Sequence, residues 1–207
     1  MKLYYSPGAC SIGIHVLLEE IGKPYQTQKL NFQQQEQFGD AFKSINPKSK
    51  VPTLERDDKS VLTEFPAIAL WLARTNPEKK LLPGDADGEA RAIEAMDYVI
   101  ATMHMQGFSR IFRPGNYAPS ESDHEKVKAR GMEIFMNGMK LMDKRLEGKD
   151  YVVGPFSIAD AALFYVEFWG GDRLKLTLPP NCAKHLARMK ARPAVQRVLK
   201  DEGLAAA

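Results

Sequence analysis

The chain has 207 residues, 44% of them apolar and 27% charged, a globular composition with material for one large or two small cores. Its 29 basic residues exceed its 26 acidic ones by only three and are scattered, so nothing argues for nucleic acid as a partner. No apolar run approaches the roughly 20 residues of a membrane span, the first residues lack a signal-peptide core, and Cys10 and Cys182 make no disulfide framework, which together predict a cytoplasmic protein in a reducing compartment.

Taken in chain order, Lys2-Leu3-Tyr4-Tyr5 reads as a short strand halted by Ser6-Pro7-Gly8. From Ser11 the apolar spacing of Ile12, Val16 and Ile21 predicts a helix, with Gly22 as its stop. Tyr25 to Phe32 reads as a second strand and Gln35 to Lys43 as a weak helix. Val51 to Leu54 and Ser60 to Thr63 flank a polar turn and predict an antiparallel hairpin. An apolar helix follows from Pro66. The order β-α-β-α-β-β-α is a compact α/β unit.

Asn76 to Gly88 is rich in Pro, Gly and charge, so residues 1–77 are assigned to the α/β domain and 78–88 to a linker. Strand signals then nearly vanish, and residues 89–207 read as an all-helical domain. Its long helices run from about Glu89 to Phe112 and from Glu121 to Leu146. Ser157-Ile-Ala-Asp160 has the form of a capping box that opens another helix.

Cys10 sits between a strand and a helix start, where unpaired amides and the helix dipole favour a thiolate. Position alone leaves open a reactive thiol and a buried hydrophobic cysteine. Pro52 at a strand start is either an edge proline or follows a cis bond. Thr63-Glu64 precedes a helix whose amides either bind a carboxylate or are complemented by Glu64 itself. His104, alone on a long helix, reads first as structural. No histidine has metal-ligand spacing with another or with cysteine, so no metal is expected. Met132, Met136, Met139 and Met142 are helically spaced and read as core or as a hydrophobic wall.

Tyr4-Tyr5-Ser6-Pro7-Gly8-Ala9-Cys10-Ser11, Asn46-Pro47-Lys48-Ser49-Lys50-Val51-Pro52 and Leu62-Thr63-Glu64 closely resemble the bacterial beta-class glutathione transferases. So do His104 with Gly107-Phe108, Phe112-Arg113-Pro114, Phe156 to Ala161, Arg192 to Val195 and the Glu-Gly-Leu near the end. The resemblance spans nearly the whole chain. It implies a thioredoxin-like N-terminal domain, an all-α C-terminal domain, and glutathione as substrate.

Roles follow from the same resemblance. Cys10 lies against the glutathione sulfur and forms a mixed disulfide with it, with Tyr5 and Ser11 as hydroxyls beside it. Lys50, Val51 and a cis Pro52 hold the cysteinyl unit, and Glu64 with residue 65 holds the γ-glutamyl end. His104, Met103, Phe108 and Tyr165 form the pocket for a small apolar electrophile. Asp97 reaches the glutathione of a neighbouring subunit, which implies a homodimer. Phe65 stands where the family has a small residue, Met105 replaces a Lys, and no basic residue occurs near Gln34 or Gln35; these changes remove polar grip on glutathione. The activities implied are detoxifying conjugation, dehalogenation or ether cleavage, and thiol–disulfide reduction. A non-catalytic ligand-binding or stress-response protein of the same fold is the alternative.

Overall fold

The computed structural model describes residues 1–204, which divide into two compact units. One is formed by Met1–Leu82 together with the segment from Arg188 onward, the other by Pro83–Ala187.

The first unit carries a four-stranded sheet in the order β2-β1-β3-β4, with β1 at Lys2–Tyr5, β2 at Gln26–Lys29, β3 at Thr53–Glu55 and β4 at Val61–Thr63. β1 pairs parallel with β2, Lys2 opposite Gln26, and antiparallel with β3, Leu3 opposite Leu54. β3 and β4 form the expected hairpin. Leu3 and Leu54 are wholly buried at the sheet centre, whereas every residue of the polar edge strand β2 is exposed. The parallel β1–β2 pair needs a crossover, and helix α1 at Ser11–Ile21 supplies it. α1 ends at Gly22 in the left-handed region (φ 72°), its N–H returning 3.0 Å to Leu18 O. α2 (Asp40–Lys43) and α3 (Phe65–Arg74) complete the thioredoxin-like order. The weak helix expected over Gln35 to Lys43 is a 3₁₀ turn at Glu36–Phe38 followed by the single-turn α2, broken by the extended Gly39.

The second unit begins with α4 (Ala86–Asp97), whose N-cap Asp85 accepts from Gly88 N–H. The chain continues through wider π-helical turns at Tyr98–Phe108 into α5 (Ser109–Phe112), where an unbroken α-helix was expected. Apolar periodicity does not distinguish the two kinds of turn. α6 (His124–Arg145) packs tightly on this stretch. A Cβ on Gly131 would stand 2.6 Å from Gly107 O, and one on Gly138 would stand 2.5 Å from Met103 Cγ, so small residues set the approach. α7 (Ile158–Phe168) is buried along its whole length, and α8 spans Pro180–Ala191.

The chain divides between Leu82 and Pro83, within the expected 78–88 linker. The C-terminal segment expected in the helical domain belongs to the first unit, where α9 (Pro193–Asp201) packs on α1. Three links explain the return. Arg192 Nε donates to Glu20 (2.6 Å) and Arg197 Nε to Glu19 (2.6 Å). The third is buried: Glu202 meets His15 Nδ1 at 2.9 Å.

Candidate functional site

Cys10 occupies the N-cap position of α1, directly after the Ser6-Pro7-Gly8 turn, and is half-buried. Its Sγ lies 3.4 Å from Val51 O, and the Val51–Pro52 peptide bond is cis. The two sequence motifs expected to cooperate, residues 6–11 and 46–52, are therefore in contact. Ser11 is wholly buried, and its hydroxyl lies 3.4 Å from both Ser6 N and Ser6 O; its visible work is to hold the turn. Tyr5 is buried with its ring 5.5 Å from that of His15. Burial, reinforced by the charges of Glu202 and Asp201, pushes the Tyr5 hydroxyl above its ordinary value.

The loop leading to Pro52 is shaped by a residue the sequence reading did not single out. Asn46 is buried and donates to Lys50 O (2.9 Å) and Thr53 Oγ1 (2.8 Å), while its Oδ1 accepts from Lys48 N–H (3.0 Å). An Asn before Pro in a loop is the available signal, since its short amide can bond to neighbouring backbone. Lys50 is exposed and joins this network through its carbonyl.

Glu64 caps α3 with φ 72°, a conformation that non-glycine residues rarely adopt and that clusters at ligand sites. Lys48 Nζ donates to Glu64 Oε1 (2.8 Å) and Thr63 Oγ1 (2.9 Å), both charged side chains being about half exposed. The loop before Pro52 thus brings a cation to the start of α3, although Gln34 and Gln35 offer none. Phe65, the first residue of α3, is 5% exposed; its ring is packed inward.

In the second unit, His104 is partly exposed; its Nδ1 lies 3.2 Å from Tyr165 Oη, and its ring stands edge-on to Trp169 at 4.8 Å. Met103, Phe108 and Tyr165, expected as walls of an electrophile pocket, have no exposed surface and act as packing behind His104. Phe112, by contrast, is 45% exposed, stacks on Phe108 at 5.3 Å and touches Trp169 at 5.8 Å. Trp169 was not singled out from the sequence, and Phe112 was quoted in a motif without a role. Their signal was the i, i+4 spacing of His104, Phe108 and Phe112 and of Tyr165 and Trp169, which puts each set on one helix face. Asp97 is exposed at the end of α4. A groove of about 710 Å³ lined by Arg91, Tyr98, Leu141, Arg145 and Val152 carries none of the predicted site residues.

Cys182 differs from Cys10. It is wholly buried with Sγ 3.4 Å from Met139 O, and burial together with Glu167 and Asp143 pushes its thiol far up, which holds it protonated and unreactive. Nearby, the capping box is formed: Asp160 accepts from Ser157 N–H (2.8 Å) and from Val152 N–H (2.8 Å). Asp160 and Glu167 also hold His185 at 3.2 and 2.7 Å. All three side chains are fully buried, among core residues.

A sheet ordered β2-β1-β3-β4 with a half-buried cysteine before α1 and a cis proline opposite it defines a thioredoxin-like thiol protein. A sequence profile described as glutathione S-transferase, N-terminal domain, matches residues 8–75. The chain is 34% identical to glutathione S-transferase GstA of Escherichia coli O157:H7, over 99% of this chain and 100% of that one. Its fold matches a glutathione transferase homologue from Sulfitobacter, solved with bound glutathione, at TM-score 0.91, 31% identity and 99% and 98% coverage. It also matches the bacterial beta-class enzyme of Sphingomonas chungbukensis at TM-score 0.84, 32% identity and 99% and 100% coverage. The chain belongs to the glutathione S-transferase family.

Proposed function

We infer that the protein is a glutathione transferase of the bacterial beta type, with Cys10 as its reactive centre. The observation that carries this reading is the contact of Cys10 Sγ with the carbonyl of Val51, at the cis proline, at the start of α1. A helix start offers N–H donors and a favourable dipole to a sulfur anion, whether on Cys10 or on a thiol substrate. Either the glutathione thiolate attacks an electrophilic carbon, or Cys10 exchanges with a disulfide that contains glutathione. In the exchange, the Cys10 thiolate attacks one sulfur of a disulfide, the Cys10 mixed disulfide forms, and the second thiolate leaves.

The N–H and C=O of Val51 are suited to pairing with an extended peptide, and the backbone amides at the start of α3 to a carboxylate. Lys48, beside Glu64, contributes a positive charge to that end. Lys50 supports the loop before Pro52, Ser11 holds the turn before Cys10 with Tyr5 beside it, and Phe65 contributes its backbone. His104 is assigned to the electrophile, with Phe112 as the exposed aromatic beside it, and Asp97 to the neighbouring subunit of a cytoplasmic homodimer. The aromatic group around His104 suits a small planar apolar electrophile.

Glutathione-dependent turnover of an activated aryl halide and of a mixed disulfide tests the function. Mass spectrometry after mild treatment with oxidised glutathione tests the centre: the adduct is expected on Cys10. Turnover of neither substrate, or an adduct on Cys182 with Cys10 unmodified, overturns the reading.

A further inference from the structure

The turn that carries Cys10 is held from the far end of the chain. Glu202, one residue past α9, is 5% exposed and divides its carboxylate between two partners. Oε2 accepts from the backbone N–H of Gly8 at 2.6 Å. Oε1 meets His15 Nδ1 of α1 at 2.9 Å. Gly8 is itself in the left-handed region (φ 63°), two residues before Cys10, and Ala9 N–H returns to Ser6 O at 2.9 Å. One carboxylate therefore ties the turn before the cysteine to the helix after it.

The surroundings make this link hard to replace. His15 is 1% exposed, its ring packed between those of Tyr5 (5.5 Å) and Tyr25 (5.8 Å), and its Nε2 is buried with no hydrogen-bond partner. The ring makes one polar contact there, to Glu202, and so serves to orient that carboxylate. With the proton on Nδ1, only a lone pair is left unpaired at Nε2, the cheaper of the two orphans. A hydrogen bond from a backbone N–H to a charged acceptor is stronger and shorter than a neutral one.

We propose that Glu202 is a positioning residue for Cys10: it fixes the Gly8 turn so that Sγ is held in line for attack on a disulfide bond. This rests on the reading of Cys10 given above. Glu202 acts on the backbone of the turn and on the His15 ring, so its removal should change the rate of attack and not the affinity for the disulfide.

The test is the rate of glutathione adduct formation on Cys10 by full-length protein, measured against oxidised glutathione concentration. Glu202→Asp keeps charge and burial but withdraws the carboxylate by one methylene. It should lower the maximal rate about ten- to a hundredfold, with half-saturation within about twofold of the parent. Glu202→Gln still presents an oxygen to Gly8 N–H, while its amide faces His15; it should melt at lower temperature yet keep the rate within about threefold. A Glu202→Asp rate within about twofold of the parent overturns the proposal, as does a Glu202→Gln rate as low as that of Glu202→Asp. Cys10→Ser, run alongside, separates the two readings. Persistence of the adduct in that variant refutes Cys10 as the centre, whereas its loss, with Glu202→Asp unaffected, refutes only the positioning role.

Discussion

Asp160→Asn replaces a wholly buried carboxylate by an amide of the same shape, and its cost can be worked from four donors. Oδ1 accepts from Val152 N–H at 2.8 Å and His185 Nε2 at 3.2 Å; Oδ2 accepts from Ser157 N–H at 2.8 Å and Ser157 Oγ at 2.9 Å. An asparagine offers one oxygen and one NH2. Whichever way it turns, two donors face an NH2 group in a site closed to water. Each orphaned donor costs about 1–3 kcal/mol, and removing one partner of a buried charged pair about 3–5 kcal/mol, so a loss of about 3–5 kcal/mol is expected. Against a typical total stability of about 5–15 kcal/mol that is a large share. Urea titration followed by far-ultraviolet circular dichroism measures it, with the slope expected unchanged and the midpoint lowered. A loss below about 1 kcal/mol would refute the reasoning, because the four donors would then have found other acceptors.

Burial disfavours the charge on His185, but Glu167 and hydrogen bonds to Asp160 and Glu167 outweigh it, so the imidazole is pushed up from an ordinary 6.5 to about 10. Its raised value means stabilisation fully present below about 6.5 and lost as pH rises through about 10, and burial pushes Glu167 in the same upward direction. Stability should therefore fall across that window, and His185→Gln should flatten the slope seen in denaturant titrations at successive pH values. Gly131→Ala should destabilise more than Gly138→Ala, since its Cβ would meet the Gly107 carbonyl at 2.6 Å whereas the latter meets the flexible Met103 side chain at 2.5 Å; thermal melts should rank them so, with overpacking costs of about 1–3 kcal/mol. Phe65→Ser should lower stability by about 3–5 kcal/mol through the cavity it opens. Calorimetry should find its glutathione affinity within about threefold of the parent, since the inward ring leaves the α3 amides in place.

The strand–helix order, the Gly22 stop, the hairpin and the capping box were all legible because each depends on neighbours in sequence. Cys10 and Val51 could be named from their motifs, yet only the fold places them 3.4 Å apart. Phe65 shows the limit most clearly. Its identity suggested a ring against the ligand, but direction depends on rotamer and neighbours, and the ring is buried. Met103, Phe108 and Tyr165, expected as pocket walls, are buried for a related reason, since a helical position specifies a face and not whether that face stays open. Glu202 was quoted as part of a motif without a role, because its partners Gly8 and His15 lie nearly the whole chain away.

The return of the C-terminal segment to the first unit has a consequence for biosynthesis. Met1–Leu82 is translated early, but Glu202 follows about 120 residues later. At roughly 5–20 residues per second, the nascent chain spends about 6–24 s with the Gly8 amide and the His15 ring lacking the carboxylate that both await. During that interval the apolar face of α1 that receives α9 is uncovered, and the thiol-bearing turn is untethered. Arrival of α9 and Glu202, and not emergence of the α/β segment, is the event that ties down the turn.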